Sequence, residues 1–287
     1  MLKKILILGV SSFAGYTFFQ HIKNKKFKIY GTYNKKINIG SIEKKNIKLF
    51  KIDLNINKNN LTKLTKKIKP DYIVDFASIC MVNESWINPT KYYNINFFSK
   101  IDFIEYLKKS NFLKKFIYIS TPEVFGNTRK KLNEKYAYFK PSTPYASSKL
   151  VMEKFISSYN PSKKFFIARF SNFYGKFQPN YRLIPKTILS KIKKKKILIH
   201  GDGSSKRNYI YSEDFSEGIL KILTCKNNNQ VYHFAGTKLY SVQDIVKKIS
   251  KIMKVDYKKI VKFTVDRKGK DQVYSLNCSK TMRQLGW

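Results

Sequence analysis

Arginine is scarce in this sequence. Only six of its 58 basic residues are Arg: Arg129, Arg169, Arg182, Arg207, Arg267 and Arg283. Arginine is the side chain that reads base edges and grips phosphate with a planar fork. Its shortage argues against nucleic-acid recognition, despite a formal net charge of +40. Acidic residues are also few, 18 in all, and the lysines run along the whole chain without gathering into one stripe. Lys, Asn and Ile are abundant together, as an A/T-rich coding sequence produces. Composition thus accounts for most of the charge, and the remainder would draw in an anionic diphosphate. Three cysteines, Cys80, Cys225 and Cys278, are widely spaced and odd in number. They exclude a disulfide framework and point to reduced thiols in a cytoplasmic protein. His21, His200 and His233 are equally scattered, which excludes zinc-ligand spacing. Long apolar runs are missing. Nothing approaches the ~20 residues that span a bilayer. The opening MLKKILILGV is too short for a secretory leader, being interrupted at Ser11, Ser12 and Gly15.

What is present is enough to fold. The 287 residues are 43% hydrophobic, sufficient for a sizeable core and for one α/β domain carrying a smaller lobe. Short apolar runs at 5–8, 28–32, 47–52, 72–76, 116–119 and 165–169 read as strands. Amphipathic stretches at 61–68, 92–107 and 145–159 read as helices between them. Such alternation predicts a parallel sheet covered on both faces, a Rossmann-type doubly wound fold. After Arg169 the pattern changes. Turn-rich segments at 171–180 and 201–208 flank a helical stretch at 183–194, as expected of a smaller lobe. We place the dinucleotide-binding domain at 1–171 and a mainly substrate-binding lobe at 172–287, with some segments returning to the first domain.

GVSSFAG at 9–15 follows the first strand and opens a helix. A dinucleotide loop needs small residues there, so that the chain turns tightly, approaches a pyrophosphate and packs its helix on the strand. Gly9 and Gly15 fill the outer glycine positions and Ser12 replaces the middle one, with a hydroxyl able to meet a phosphate; Ser11 and Phe13 complete the loop. An acid at the end of the second strand would bind the ribose hydroxyl of NAD. Here the segment carries Asn34 and Lys35, which would accommodate the extra phosphate of NADP. Asp53, followed by Leu54, is placed either to accept from adenine or to cap a turn.

Tyr145 and Lys149 stand four apart on a helix, hence on one face. An ammonium beside a phenol favours the phenolate and makes the tyrosine a base for a hydroxyl near neutral pH. STPEVFG at 120–126 ends the fifth strand, on the edge where open α/β sheets bind ligands. Thr121 there completes a Thr/Tyr/Lys triad, and Glu123 brings a carboxylate to the same pocket.

These motifs resemble those of the extended short-chain dehydrogenase/reductases of the NAD-dependent epimerase/dehydratase family, which act on nucleoside-diphosphate sugars. The chain is most similar to the dTDP-glucose 4,6-dehydratase type. The likeness covers nearly the whole chain: the 9–15 loop, Phe76-Ala77-Ser78 beside the cofactor, 83–96 with Ser85, Pro89, Tyr93 and Asn96, and the 120–126 motif. It continues through Arg169–Gly175 with Asn172, Leu183-Ile-Pro185, the 201–214 stretch with Arg207, 266–271 with Arg267, and Leu285-Gly-Trp287. The resemblance implies a bound NAD or NADP and a homodimer. It implies that Ser85, Asn172, Leu183, Arg207 and Arg267 contact the nucleotide sugar, Arg207 through its phosphate. It also implies a reaction: Tyr145 deprotonates the sugar 4-hydroxyl, Glu123 then removes the C5 proton, water leaves C6 and the hydride returns there. Pro122 stands where dTDP-glucose dehydratases carry an Asp, and Val273 where an Arg is usual. A 4-epimerase, a sugar-acid decarboxylase and a reductase share the scaffold; a non-catalytic nucleotide- or RNA-binding protein is the remaining alternative.

Overall fold

The computed structural model describes residues 2–34, 44–56, 59–158, 164–227, 231–266, 269 and 271–287. Strands β1 (Lys3–Leu8), β2 (Phe27–Tyr33), β3 (Lys48–Lys51), β4 (Tyr72–Asp75) and β5 (Lys115–Ser120) are followed by the short β6 (Lys131–Leu132). Then come β7 (Phe165–Phe170), β8 (Asn172–Tyr174), β9 (Ile197–His200), β10 (Lys206–Tyr211), β11 (Val231–Phe234), β12 (Leu239–Ser241), β13 (Val261–Thr264) and β14 (Ser275–Leu276). The helices are α1 (Phe13–Ile22), α2 (Asn59–Ile68), α3 (Val82–Ile87), α4 (Pro89–Asn96), α5 (Ile101–Lys109) and α6 (Pro144–Ser157). They continue with α7 (Leu183–Ile192), α8 (Ser212–Thr224), α9 (Val242–Ile252), α10 (Tyr257–Ile260) and α11 (Ser279–Leu285).

Seven strands form one parallel sheet in the order β11-β7-β5-β4-β1-β2-β3. This is the doubly wound Rossmann arrangement. Its central strands are buried throughout, Ile5–Leu8 and Phe165–Ile167 being at most 2% exposed, which is why they read as continuous apolar runs. One core cluster joins α1 and α8 to one face, through Phe18, Phe19, Phe215 and Ile219. Another joins α2, α5 and α6 to the other, through Leu64, Ile104, Leu107 and Met152. The strand order reverses between β1 and β4. That switch point opens a crevice at their carboxyl ends.

Two differences from the sequence reading matter. The helix expected over 92–107 is broken: α4 stops at Asn96 and α5 begins at Ile101, with a single 3₁₀ turn at Phe98–Lys100 between them. Two side chains on either side of the break are drawn inward. Asn96 bonds both the N–H and the C=O of Ile79 and donates to Ser148, and the Lys100 ammonium meets the Asp75 carboxylate at 2.6 Å. These two buried partners lie on either side of the break, at the end of α4 and at the start of α5. The second difference is β11, which lies far along the chain yet pairs with β7.

Candidate active site

The crevice edge is built by close backbone approach. Gly9 has φ +73°, and a side chain on it would come within 2.9 Å of the Ala77 Cα. At Gly15 a Cβ would collide with the Gly9 carbonyl. These two positions therefore accept glycine alone. Ser12 caps α1: its hydroxyl donates to the Gly9 carbonyl at 2.8 Å and accepts from the Gly15 N–H at 3.0 Å. The hydroxyl thus holds the loop together, a different employment from the phosphate contact read from the sequence. The Gly15 amide is thus taken by Ser12, and the Tyr16 amide donates to the Ser12 carbonyl at 2.8 Å; a helix start after so tight a turn suits a phosphate. Phe13 stacks on Phe173, ring centroids 4.7 Å apart. The Phe76 side chain is buried against Phe18 and Phe215, so this residue offers its backbone alone. Asn34 is exposed and Leu54 half-buried. The Asp53 carboxylate accepts from the Asn55 N–H, the turn-capping alternative. Lys35 and Arg267 lie outside the described residues.

The helix α6 starts with Thr143 as N-cap and Pro144 in the first turn. This start sets Tyr145 and Lys149 over the ends of β4 and β5. Tyr145 is 9% exposed. Burial pushes its phenol well above the ordinary range, the Glu123 charge pushes it further, and the Arg182 guanidinium and a hydrogen bond with Thr121 oppose this. The Lys149 ammonium donates to Ile119 O at 2.6 Å and Ser78 Oγ at 3.1 Å, and lies over the Tyr118 ring at 4.1 Å. In this arrangement the cation that counters the raised phenol is Arg182. Pro122 opens a 3₁₀ turn, Pro122–Phe125, capped by Thr121, whose hydroxyl accepts from the Glu123 N–H. Proline is pre-set for such a first position, so the turn that aims Glu123 is built by the residue that departs from the dehydratase motif.

Other expected contacts fall around this centre unevenly. Tyr274, 2% exposed, reaches Asn172 Oδ1 at 3.4 Å, and burial and the nearby Glu123 and Asp271 push its phenol up. Arg207 covers the Tyr274 ring at 4.1 Å and donates to the carbonyls of Asp271 and Gln272. It therefore ties β10 to the closing segment. Leu183 opens α7 beside Arg182. Ser85 is fully buried and donates to Val82 O at 2.6 Å, committed to its own helix. Tyr92, rather than Tyr93, is the buried phenol of its helix. It donates to Met81 O, meets the Tyr145 ring edge-on, and is pushed up to about 12, mainly by burial. A cavity of about 660 Å³, bounded by Tyr174, Tyr211, Asp214 and Trp287 among others, has none of the catalytic candidates in its wall.

Sequence reasoning missed Arg182, Cys80 and the Lys100–Asp75 pair. Arg182 donates to the Cys80 sulfur at 3.1 Å, and from separate segments the two act on the Tyr145 phenol in opposite senses. Arg182 had one available signal: it is one of six arginines in a lysine-dominated chain and adjoins the Leu183-Ile-Pro185 motif.

The Lys149 charge carries a stability consequence. Burial, followed by repulsion from Lys100, lowers its ammonium from 10.5 to about 7. Folding therefore disfavours the proton. The penalty is complete below about pH 7, shrinks as pH rises toward 10.5, and vanishes above that. Lys149→Met is expected to stabilise the fold by about 2 kcal/mol near pH 6, after allowing for two lost hydrogen bonds. The gain should shrink by about pH 9. Paired melting curves at the two pH values check it; a gain that grows with pH would contradict the burial argument.

Comparison with known proteins adds the following. The family model described as "NAD dependent epimerase/dehydratase family" matches residues 5–235. The trifunctional UDP-glucose 4,6-dehydratase/UDP-4-keto-6-deoxy-D-glucose 3,5-epimerase/UDP-4-keto-L-rhamnose-reductase RHM3 of Arabidopsis thaliana is 30% identical over 304 residues, covering 99% of this chain and 45% of that protein. The chain thus spans about half the length of that relative. A dTDP-D-glucose 4,6-dehydratase of Dictyostelium discoideum is 28% identical over 346 residues, covering 100% and 78%. Among solved structures, dTDP-glucose 4,6-dehydratase of Bacillus anthracis in complex with NAD superposes with a TM-score of 0.88 at 23% identity, covering 99% and 91%.

Proposed function

This chain belongs to the NAD dependent epimerase/dehydratase family, and from that premise we propose that it is a nucleotide-sugar 4,6-dehydratase using NAD. The observation that carries the reading is the meeting of Tyr145, Thr121 and Glu123 at the end of β5, where Thr121 bonds the Tyr145 phenol and the Glu123 charge acts on it. An alcohol oxidation alone needs one base; a second carboxylate so near the first base suits a second proton abstraction, at C5. The glycine-tight turn at Gly9 and the start of α1, where the Phe13 and Ala14 amides precede the Ser12-capped Gly15, fit a dinucleotide pyrophosphate. Bound there, NAD supplies a hydride acceptor at C4 and the same hydride for C6, and ends unchanged.

The chain's own residues do the rest. Tyr145 takes the proton of the sugar 4-hydroxyl, with Thr121 hydrogen-bonded to it and Arg182 favouring the phenolate. Lys149, anchored on Ser78 and Ile119, is set to hold the nicotinamide ribose. The ketone at C4 acidifies the C5 proton, and Glu123 removes it. Pro122 has no proton to give the departing C6 hydroxyl; Glu123, protonated by the preceding step, is the nearest acid in the motif. Asn172, Leu183, Arg207 and Arg267 are assigned to the nucleotide sugar, with Ser85 acting through the position of α3. The dinucleotide is assigned to residues 1–171 and the sugar mainly to 172–287.

Phe98 and Val151 are exposed beside the Phe97–Phe155 ring contact, on elements packed together. We assign this face to a homodimer contact, which light scattering would read. The unpaired Cys80, Cys225 and Cys278 suit a cytoplasmic setting. Among the described residues no helix is long and apolar enough to cross a membrane.

The test is a panel of nucleotide sugars, each incubated with NAD or NADP, with product masses recorded. Loss of one water from one substrate is expected. A mass-neutral isomer, or loss of carbon dioxide, would instead establish the epimerase or decarboxylase reading, which Pro122 favours because neither reaction expels a C6 hydroxyl.

A further inference from the structure

Lys100 and Asp75 form an ion pair with both side chains 0% exposed. Packing alone does not call for it. Two charges taken from water carry a desolvation penalty that an apolar pair of the same size avoids. What an apolar pair cannot do is place fixed charges, and these have a particular neighbour. Asp75 ends β4. One of its oxygens accepts from Lys100 at 2.6 Å, the other from the Ala77 N–H at 2.9 Å. The next residue, Ser78, accepts from the Lys149 ammonium. Lys100 and Lys149 lie against the same ring, that of Tyr118, at 5.8 and 4.1 Å from its centre. The Tyr118 hydroxyl is buried without a hydrogen-bond partner, so it screens neither ammonium by bonding. Lys100 ends the 3₁₀ turn between α4 and α5 and is buried there.

We propose that the buried Lys100–Asp75 pair is a positioning device for Lys149: Asp75 fixes the backbone that presents Ser78 to the ammonium, and Lys100 opposes the ammonium's charge. The inference rests on the reading of Lys149 as a residue of the catalytic set. The groups facing Lys149 are Lys100 beyond β4, Asp75 on β4, Glu153 on its own helix α6, and Cys80 after β4. Ile119 on β5 and Ser78 contribute neutral acceptors. Of the charged neighbours Lys100 acts most strongly, after burial itself, and Asp75 acts in the opposite sense. A lysine held near the midpoint of its titration at neutral pH can switch between holding a ribose as a cation and releasing a proton, which an ordinary lysine cannot.

The experiment reads Lys149 without substrate. Protein carrying ¹³C-labelled lysine is titrated, and the Lys149 Cε signal is identified by its loss in Lys149→Met. A midpoint near 7 is expected in the parent. Lys100→Met should move it up by about one pH unit, and Asp75→Asn should move it down. Each single variant leaves a buried charge alone and can fail to fold. Lys100→Met/Asp75→Asn leaves none and keeps the amide oxygen for Ala77; it should move the midpoint up by less than Lys100→Met. An unmoved midpoint in the folded double variant overturns the proposal. The pH profile of kcat is then measured on the same variants. A limb that shifts with the midpoint upholds the proposal. A midpoint that moves while the profile stays fixed upholds the positioning of the ammonium and instead removes Lys149 from the catalytic reading.

Discussion

Tyr145→Phe is expected to lower turnover by about a thousandfold, within the range that a positioned acid–base contributes. The substitution removes one oxygen and keeps the ring. The edge-on contact with Tyr92, centroids 6.4 Å apart, survives, as does the α6 start set by Thr143 and Pro144. Lys149 keeps its anchors on Ser78 and Ile119. Calorimetric binding of the dinucleotide should therefore change little while turnover collapses. The phenol is raised by burial and by Glu123, against Arg182 and Thr121. It is thus protonated at neutral pH in the free protein, and kcat/KM should rise with pH on this account. Arg182→Met removes the opposing cation, pushes the phenol higher still and should shift that rise to higher pH. Near-parental turnover in Tyr145→Phe would remove the tyrosine from the chemistry.

Glu123→Gln should separate two steps. The amide is nearly isosteric and the Thr121-capped turn that carries it is formed by its backbone N–H, so the loop is expected to hold. Without the carboxylate, C5 deprotonation and water loss should fall by about a hundredfold to ten-thousandfold. The 4-hydroxyl step should not suffer equally, because the Glu123 charge raises the Tyr145 phenol and its removal makes that phenol a more available base. In deuterated water, incorporation of deuterium at C5 of the sugar reads the first effect. Persisting deuterium incorporation in the variant would assign C5 chemistry to another group. Water loss that falls alone, with C5 exchange intact, would make Glu123 the acid for the C6 hydroxyl and not the base.

Much of the fold was legible because its causes are local. A parallel strand buried on both faces must be apolar along its whole length, as Ile5–Leu8 and Phe165–Ile167 are. A tight strand–helix turn must be small, as at Gly9 and Gly15, and residues four apart on a helix must share a face, as Tyr145 and Lys149 do. These rules act over a few residues, so composition and spacing carry them. The likeness of the 120–126 and 169–175 segments to family motifs added what spacing alone could not.

Tertiary structure decided the rest, through partners distant in sequence. Whether Ser12 meets a phosphate or caps α1 depends on where the Gly9 carbonyl points. Tyr92 and Tyr93 are equivalent by composition; the packing of α4 on α6 buried one of them. Lys100 reads as one more solvated lysine until Asp75, 25 residues away in sequence, pairs with it in the interior. Arg182 reaches Cys80 across 102 residues. The sequence by itself therefore determined most of the parallel sheet, the tight loop and which residues are candidate bases. The charges that govern those bases were decided only on folding, because Coulomb interaction and desolvation depend on distance in space and on burial, neither of which is written in sequence separation.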